Sequence, residues 1–218
     1  MIKVKICGIT NLEDALVAME AGADYLGFIL YPPSKRAVAA KEVRCIVSHL
    51  RSLPNCPLLV GVFVDETAVH MAETLDLCEL DLAQLSGDEV PSLVGDEKSA
   101  IYGRSYKALR PTSLDEAKAD AEWFTPPTLF PNQPTLLIDA YHPTLYGGTG
   151  ETSDWHISAE LAQESPGLML AGGLNPDNVA EAVAQVRPFS VDVASGVEAS
   201  PGKKDHELVR AFIANAKS

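Results

Sequence analysis

Eight short apolar segments alternate with eight amphipathic segments along the chain, and this order strongly limits the folds that it can adopt. The apolar segments contain many β-branched residues and are bounded by Gly, Pro or Asp, which is typical of strands. We predict strands at residues 2–7, 24–30, 58–64, 80–85, 104–109, 135–139, 167–171 and 189–194. Strands separated by helices indicate a parallel sheet, because parallel neighbours need a crossover connection.

The segments between these strands carry apolar residues at helical spacing. In residues 11–22, Leu12, Leu16 and Met19 share one face, and Asn11 can cap the first turn. Further helices are predicted at 38–51, 67–76, 87–94, 113–122, 155–164, 176–186 and 205–216, with the weakest pattern at 87–94 and the seventh starting at Pro176 after Asn175. Eight such units in 218 residues, without a nucleotide fingerprint after the first strand, favour a closed barrel. We predict one α/β domain, a (β/α)8 TIM barrel over residues 1–218.

Two stretches have an irregular pattern. Residues 120–134 contain four prolines and are predicted to form a surface loop before the sixth strand. Residues 140–153 are rich in glycine and follow the sixth strand, which makes them a candidate lid over a site at that end of the barrel.

The formal net charge of −13 limits the partners of the chain. Nucleic acids and anionic lipids are bound through Lys and Arg, so we expect neither a nucleic-acid nor a membrane partner. A small phosphorylated molecule remains compatible if main-chain N–H groups make its pocket locally positive. The four cysteines lack C-x-x-C spacing and no long apolar segment is present, so we predict a cytoplasmic protein. The sequence leaves two oligomeric states open, a monomer and a homodimer.

Reacting groups in a TIM barrel lie at the carboxyl ends of strands and in the loops that follow them. The loops after strands seven and eight contain Gly172, Gly173, Ser195 and Gly196. Glycines allow the backbone to approach an anion closely, although they are also common in tight turns without a ligand. Taken together, the two loops favour a phosphate site.

Two side chains at strand ends are candidates for acid–base chemistry. Cys7 closes the first strand and is either a small buried apolar residue or a base. A base at this position needs a lowered thiol pKa or a modest rate. Asp139 closes the sixth strand and is either a helix cap or an acid. An acid and a base on two sides of one ligand suit an isomerisation better than a hydrolysis, which needs the two in contact.

Other charged residues extend this candidate site. Arg36, in the loop after strand two, is either a solvated charge or a two-pronged clamp for a carboxylate. Lys5 shares strand parity with Cys7, so it can point into the barrel and pair with Asp192 on the eighth strand. The five histidines show no metal-ligand spacing, and we expect no metal.

Seven motifs occur in order from end to end: KICGIT at 5–10, PPSKR at 32–36, AQLSGDE at 83–89, LIDA at 137–140, GGTGETSDW at 147–155, LAGGLNPDNV at 170–179 and DVASGVE with PGKKD within 192–205. In combination they resemble the phosphoribosylanthranilate isomerase family. One difference is visible, because the family commonly has Q-L-H-G where this chain has Ser86 in place of His.

The resemblance implies an Amadori rearrangement of N-(5-phosphoribosyl)anthranilate to 1-(2-carboxyphenylamino)-1-deoxyribulose 5-phosphate, in tryptophan biosynthesis and without a cofactor. It implies that Cys7 is the general base and Asp139 the general acid. Arg36 would hold the anthranilate carboxylate and Asp192 a sugar hydroxyl. The phosphate would bind at the loops that contain Gly172, Gly173, Ser195 and Gly196.

Two alternatives remain at this point. One is another phosphosugar barrel enzyme, of the indole-glycerol-phosphate synthase or epimerase type, for which Lys107 near the end of strand five is a candidate residue. The other is a phosphosugar-binding barrel without catalytic activity, which would keep both glycine-containing loops and lose the acid and the base.

Overall fold

Eight parallel strands close into a barrel in the computed structural model, which describes residues 2–139 and 155–218. The strands are β1 Lys3–Cys7, β2 Tyr25–Ile29, β3 Leu58–Phe63, β4 Leu82–Leu85, β5 Ser105–Leu109, β6 Leu136–Asp139, β7 Leu168–Ala171 and β8 Ser190–Val193. Each strand pairs with the next along the chain, and β8 closes the barrel on β1 with Asp192 opposite Lys5. The predicted TIM barrel is confirmed. The predicted lid at 140–153 lies outside the described residues.

Helices follow the strands in the predicted order: α1 Leu12–Glu20, α2 Ala40–Arg51, α3 Ala68–Cys78, α4 Ser92–Gly95, α5 Leu114–Phe124, α6 His156–Glu164, α7 Val179–Val186 and α8 His206–Ala216. The predicted cap of α1 is confirmed, since the Asn11 side chain accepts a hydrogen bond from the Asp14 amide at 2.9 Å. The weak pattern at 87–94 corresponds only to the single turn α4.

Two predicted boundaries need correction. The start of α7 at Pro176 was wrong, because the Asn175 side chain accepts from the amides of Asp177 and Asn178 and holds a turn ahead of Val179. The predicted loop at 120–134 begins later, since α5 continues to Phe124.

No helix within the described ranges is long and apolar enough to span a bilayer.

The core has two layers because successive side chains of a strand point to opposite faces of the sheet. On β1, Val4 and Ile6 pack in the layer between the sheet and the helices. The barrel interior is filled by apolar and aromatic side chains of the other strands: Tyr25, Val60, Leu82, Tyr106, Leu137, Met169 and Ala171. Lys5 and Cys7 alternate with Val4 and Ile6, so they face this interior.

The connection from β8 to α8 contains a small structure that the sequence patterns did not predict. A single 3-10 turn, Ser195–Val197, leads into an antiparallel hairpin of β9 Glu198–Ser200 and β10 Lys203–Lys204. The buried Asp14 carboxylate of α1 fastens the hairpin, since it accepts from the Lys204 amide at 2.9 Å and lies 2.9 Å from His206 Nε2. This anchoring holds the hairpin beside the mouth of the barrel.

Candidate active site

Cys7 ends β1 inside the barrel and is only 5% exposed. The facing residue on β2 is Gly27, where an added Cβ would lie 2.8 Å from Cys7 Sγ and 3.1 Å from Lys5 Cε. Gly27 therefore provides the space that both side chains occupy, and it places the sulfur and the lysine chain next to each other.

The Lys5 ammonium is the centre of a buried polar network. It donates to Asp192 Oδ1 at 3.0 Å and to Gln84 Oε1 at 2.8 Å. The Tyr106 hydroxyl donates to the same Gln84 oxygen at 2.9 Å. The predicted Lys5–Asp192 pair is confirmed. Gln84 and Tyr106 were not predicted, although a polar residue at an inward position of a short buried strand was a usable signal.

The electrostatics of this network act on the thiol in two directions. Burial raises the pKa of Cys7, and the nearby Lys5 and Lys204 ammonium groups oppose this rise without cancelling it. Burial also acts against the charge of Lys5, but Asp192, Cys7 and Tyr106 together outweigh it and the pKa of Lys5 is raised. The positive charge of Lys5 is therefore favoured, and so is the protonated form of the Cys7 thiol. The lowering of the thiol pKa that a fast base needs is not present in the free protein.

Asp139 ends β6 opposite Ala171 of β7. The side chain is one-third exposed, and its Oδ2 lies 3.8 Å from Nε of the exposed Arg110. Only β7 and β8 separate β6 from β1 around the barrel. Since all eight strands are parallel, the carboxyl ends that hold Asp139 and Cys7 open at the same mouth.

The loops after β7 and β8 contact each other through Gly196. An added Cβ at Gly196 would lie 1.9 Å from the Leu174 carbonyl oxygen, so the contact requires glycine. In the β7 loop, Gly172 and Gly173 have φ of 96° and 65°, in the left-handed region that favours glycine. Among the described residues, the amides of Gly173 and Ser195 have no hydrogen-bond acceptor. The two loops thus bring main-chain donors together in the manner of an anion site.

Replacing Gly196 with Ala is expected to push these two loops apart. Overpacking against backbone lowers the free energy of unfolding by about 1–3 kcal/mol. The KM for a phosphorylated substrate should rise as well. Thermal melting and steady-state kinetics measure the two effects. Gly95→Ala is the matched control, because nothing lies within 4 Å of its added Cβ, and equal behaviour of the two variants would contradict the loop contact.

Arg36 lies in the β2 loop, where its aliphatic chain packs on Gly8. An added Cβ at Gly8 would lie 2.9 Å from Arg36 Cδ. The guanidinium donates to both carboxylate oxygens of Glu198, from Nε and from Nη2, each at 2.7 Å. This hydrogen-bonded pair raises the pKa of Arg36. Glu198 was not predicted as a site residue, since nothing in the sequence links two positions so far apart.

The comparisons with known proteins agree with this arrangement. The family model for N-(5'phosphoribosyl)anthranilate (PRA) isomerase matches residues 4–215. The chain belongs to this family. A relative from Trichlorobacter lovleyi with the name N-(5'-phosphoribosyl)anthranilate isomerase is 46% identical over 217 residues, which cover 100% of this chain and 98% of the relative.

Solved structures of phosphoribosylanthranilate isomerases have the same fold. The crystal structure of the Thermotoga maritima enzyme is 41% identical, with a TM-score of 0.84 and coverage of 100% of this chain and 99% of that one. Another solved structure is a complex with reduced 1-(o-carboxyphenylamino)-1-deoxyribulose 5-phosphate; it is 39% identical, with a TM-score of 0.82 and the same coverage. The family resemblance of the sequence is confirmed.

The position of Ser86, where this isomerase sequence differs from the family pattern, adjoins the Lys5 network. The Gln84 amide group donates to Ser86 Oγ at 3.1 Å. This contact fixes the amide so that its oxygen points to Lys5 and Tyr106. In this member of the family, Ser86 therefore orients Gln84.

Lys107 does not face the barrel interior. It was the candidate residue for the alternative hypothesis of an indole-glycerol-phosphate synthase type of enzyme. Its neighbours across the sheet, Leu85 and Leu136, belong to the layer between sheet and helices. The ammonium donates to Glu89 Oε2 at 2.8 Å and to the Gly87 carbonyl. Lys107 therefore holds the β4 loop in place and does not enter the barrel interior.

Proposed function

We propose that the chain isomerises N-(5-phosphoribosyl)anthranilate to 1-(2-carboxyphenylamino)-1-deoxyribulose 5-phosphate, an Amadori rearrangement of tryptophan biosynthesis, with Cys7 as base and Asp139 as acid. The observation that carries this proposal is the placement of a thiol and a carboxyl group at one barrel mouth, in a chain of this family. A relative that binds the reduced form of the product supports a phosphorylated small-molecule substrate.

As far as the enaminol, the reaction needs one proton delivered to oxygen and one removed from carbon. The Asp139 carboxyl group protonates the furanose ring oxygen, and the ring opens to a Schiff base between the sugar and the aromatic amine. The Cys7 thiolate then removes the proton from C2. Protonation at C1 of the resulting enaminol, with loss of the proton of its C2 hydroxyl, completes the ketose. The two protons gained, at the ring oxygen and at C1, equal the two lost, from C2 and from its hydroxyl, so the product is an isomer of the substrate and no redox partner is required.

The thiolate that acts as the base needs help from its surroundings. Its burial disfavours the negative charge, while Lys5 and Lys204 favour it. Lys5 is held by Asp192 and Gln84 and cannot turn away from the sulfur. We propose that these cations make a small thiolate fraction available at neutral pH, which is sufficient when abstraction from an activated Schiff base is fast.

The remaining groups bind the ends of the substrate. Main-chain donors of the Gly172–Gly173 and Ser195–Gly196 loops bind the phosphate, and Arg36 binds the anthranilate carboxylate. Asp192 uses Oδ1 for Lys5, and within the described structure Oδ2 accepts no hydrogen bond, so this oxygen is available to a sugar hydroxyl.

The direct test is conversion of phosphoribosylanthranilate, followed by loss of its fluorescence, with and without EDTA. We expect turnover at an unchanged rate in the chelator, since the proposed acid and base are both side chains. Loss of turnover in EDTA would favour a metal-dependent epimerase type of reaction. Binding of the reduced product without any turnover would indicate a barrel that only binds phosphosugars.

A further inference from the structure

We infer that Glu198 is a positioning residue that fixes the Arg36 guanidinium and so sets the preference of the site for an aromatic amine carrying a carboxylate. This inference rests on the proposed function, because it concerns the residue that would bind the anthranilate group. Glu198 itself does not touch the substrate in this scheme; it acts through Arg36.

The first argument is the geometry of the pair. Two parallel hydrogen bonds of 2.7 Å join Arg36 to Glu198, and the Glu198 side chain is only 4% exposed. A guanidinium that donates from two nitrogens to one buried carboxylate has a fixed orientation, because turning it would break at least one of the two hydrogen bonds. Packing of the Arg36 chain on Gly8 restricts it further.

The second argument concerns the N–H donors of Arg36 that are not bonded to Glu198. A guanidinium has five N–H donors, and Glu198 accepts one from Nε and one from Nη2. The second N–H of Nη2 and one N–H of Nη1 point in the same direction along the end-on edge of the same plane. Within the described residues no acceptor meets Nη1. A free Nη1–Nη2 edge matches the two oxygens of one carboxylate.

The third argument is that Glu198 is itself held rigidly. Its Oε1 also accepts from the Gly202 amide and from the Lys204 ammonium, each at 3.2 Å. Lys204 is fully buried and donates in addition to the Ala194 carbonyl at 2.9 Å. The 3-10 turn Ser195–Val197 lies between Ala194 and Glu198. The loop that carries proposed phosphate donors therefore also sets the orientation of the carboxylate clamp.

The charges of this group explain why the carboxylate stays ionised. Burial acts to raise the pKa of Glu198, but the hydrogen bond from Arg36 and the charge of Lys204 outweigh it, and the pKa is lowered. Neutralising Glu198 would leave the Arg36 and Lys204 cations side by side without a negative charge between them. Arg36 would then be free to turn toward other anions, including the substrate phosphate.

The test compares Glu198→Gln with wild type on two substrates, phosphoribosylanthranilate and the corresponding phosphoribosylaniline, which lacks the carboxylate. We expect the KM for the first to rise about tenfold, with kcat within about threefold of wild type, and the KM for the second to stay unchanged. The ratio of the two kcat/KM values should therefore fall about tenfold. Glu207→Gln is the control, since this exposed glutamate pairs with Arg210 and takes no part in the group of Arg36, Glu198 and Lys204.

Equal losses on both substrates, or no loss on either, would overturn the inference. If Glu198→Gln does not fold by circular dichroism, Glu198→Asp is measured in its place and the same change of ratio is required. Calorimetric titration with the reduced product, with and without its carboxyl group, separates this inference from the proposed function. A wild-type protein that does not turn over phosphoribosylanthranilate contradicts the function, whereas one that binds both ligands equally well contradicts the role of Arg36 and Glu198.

Discussion

Cys7→Ser is expected to lower kcat for phosphoribosylanthranilate by at least about 100-fold and to leave binding of the reduced product intact. Serine is nearly isosteric and fits the space beside Gly27, so the fold and the ligand contacts should be retained. Its hydroxyl is a far weaker acid than a thiol, and the Lys5 and Lys204 charges cannot supply a useful alkoxide near neutrality. Steady-state kinetics and calorimetric titration measure the two quantities.

The pH profile of the wild type belongs to the same test. In the proposed scheme only the thiolate acts as the base, and burial raises the pKa of Cys7. The value of kcat/KM should therefore increase with pH through neutrality, and the limb that belongs to Cys7 should vanish in Cys7→Ser. Cys45→Ser, at an exposed position of α2, is the control. Full turnover in Cys7→Ser would refute the assignment of the base.

Most of the fold could be predicted because parallel strands and crossover helices alternate in the sequence itself. Each strand between Lys3 and Val193 is a short apolar run, and local periodicity is enough to find it. The start of α7 was misplaced for a local reason as well. Asn175 can begin a helix or close a turn with its side chain, and the pattern alone does not distinguish these.

The candidate site likewise contains residues that the sequence could predict and residues that it could not. Cys7, Asp139 and the two glycine-containing loops could be predicted because they follow strands, and a barrel collects such positions at one mouth. The partners that tune them come from elsewhere in the chain. Glu198 lies 162 residues from Arg36, in a hairpin with no strong strand pattern, and only the closed barrel brings them together.

Asp139→Asn is expected to lower kcat by at least about 100-fold, for a different reason from the cysteine variant. Asparagine keeps the shape of the side chain at the end of β6 but cannot deliver the proton that opens the furanose ring. Asp115→Asn, at an exposed site on α5, controls for the loss of a carboxylate alone. An unchanged kcat would contradict the role of Asp139.

Substrate deuterated at C2 distinguishes the acid from the base. In Cys7→Ser the removal of the C2 proton limits the rate, so the isotope effect on kcat/KM should be fully expressed. In Asp139→Asn ring opening limits the rate before that proton is touched, and the isotope effect should fall toward unity. The same isotope effect in both variants would mean that the two side chains act in one step. The assignment of separate steps to the thiol and the carboxyl group would then be wrong.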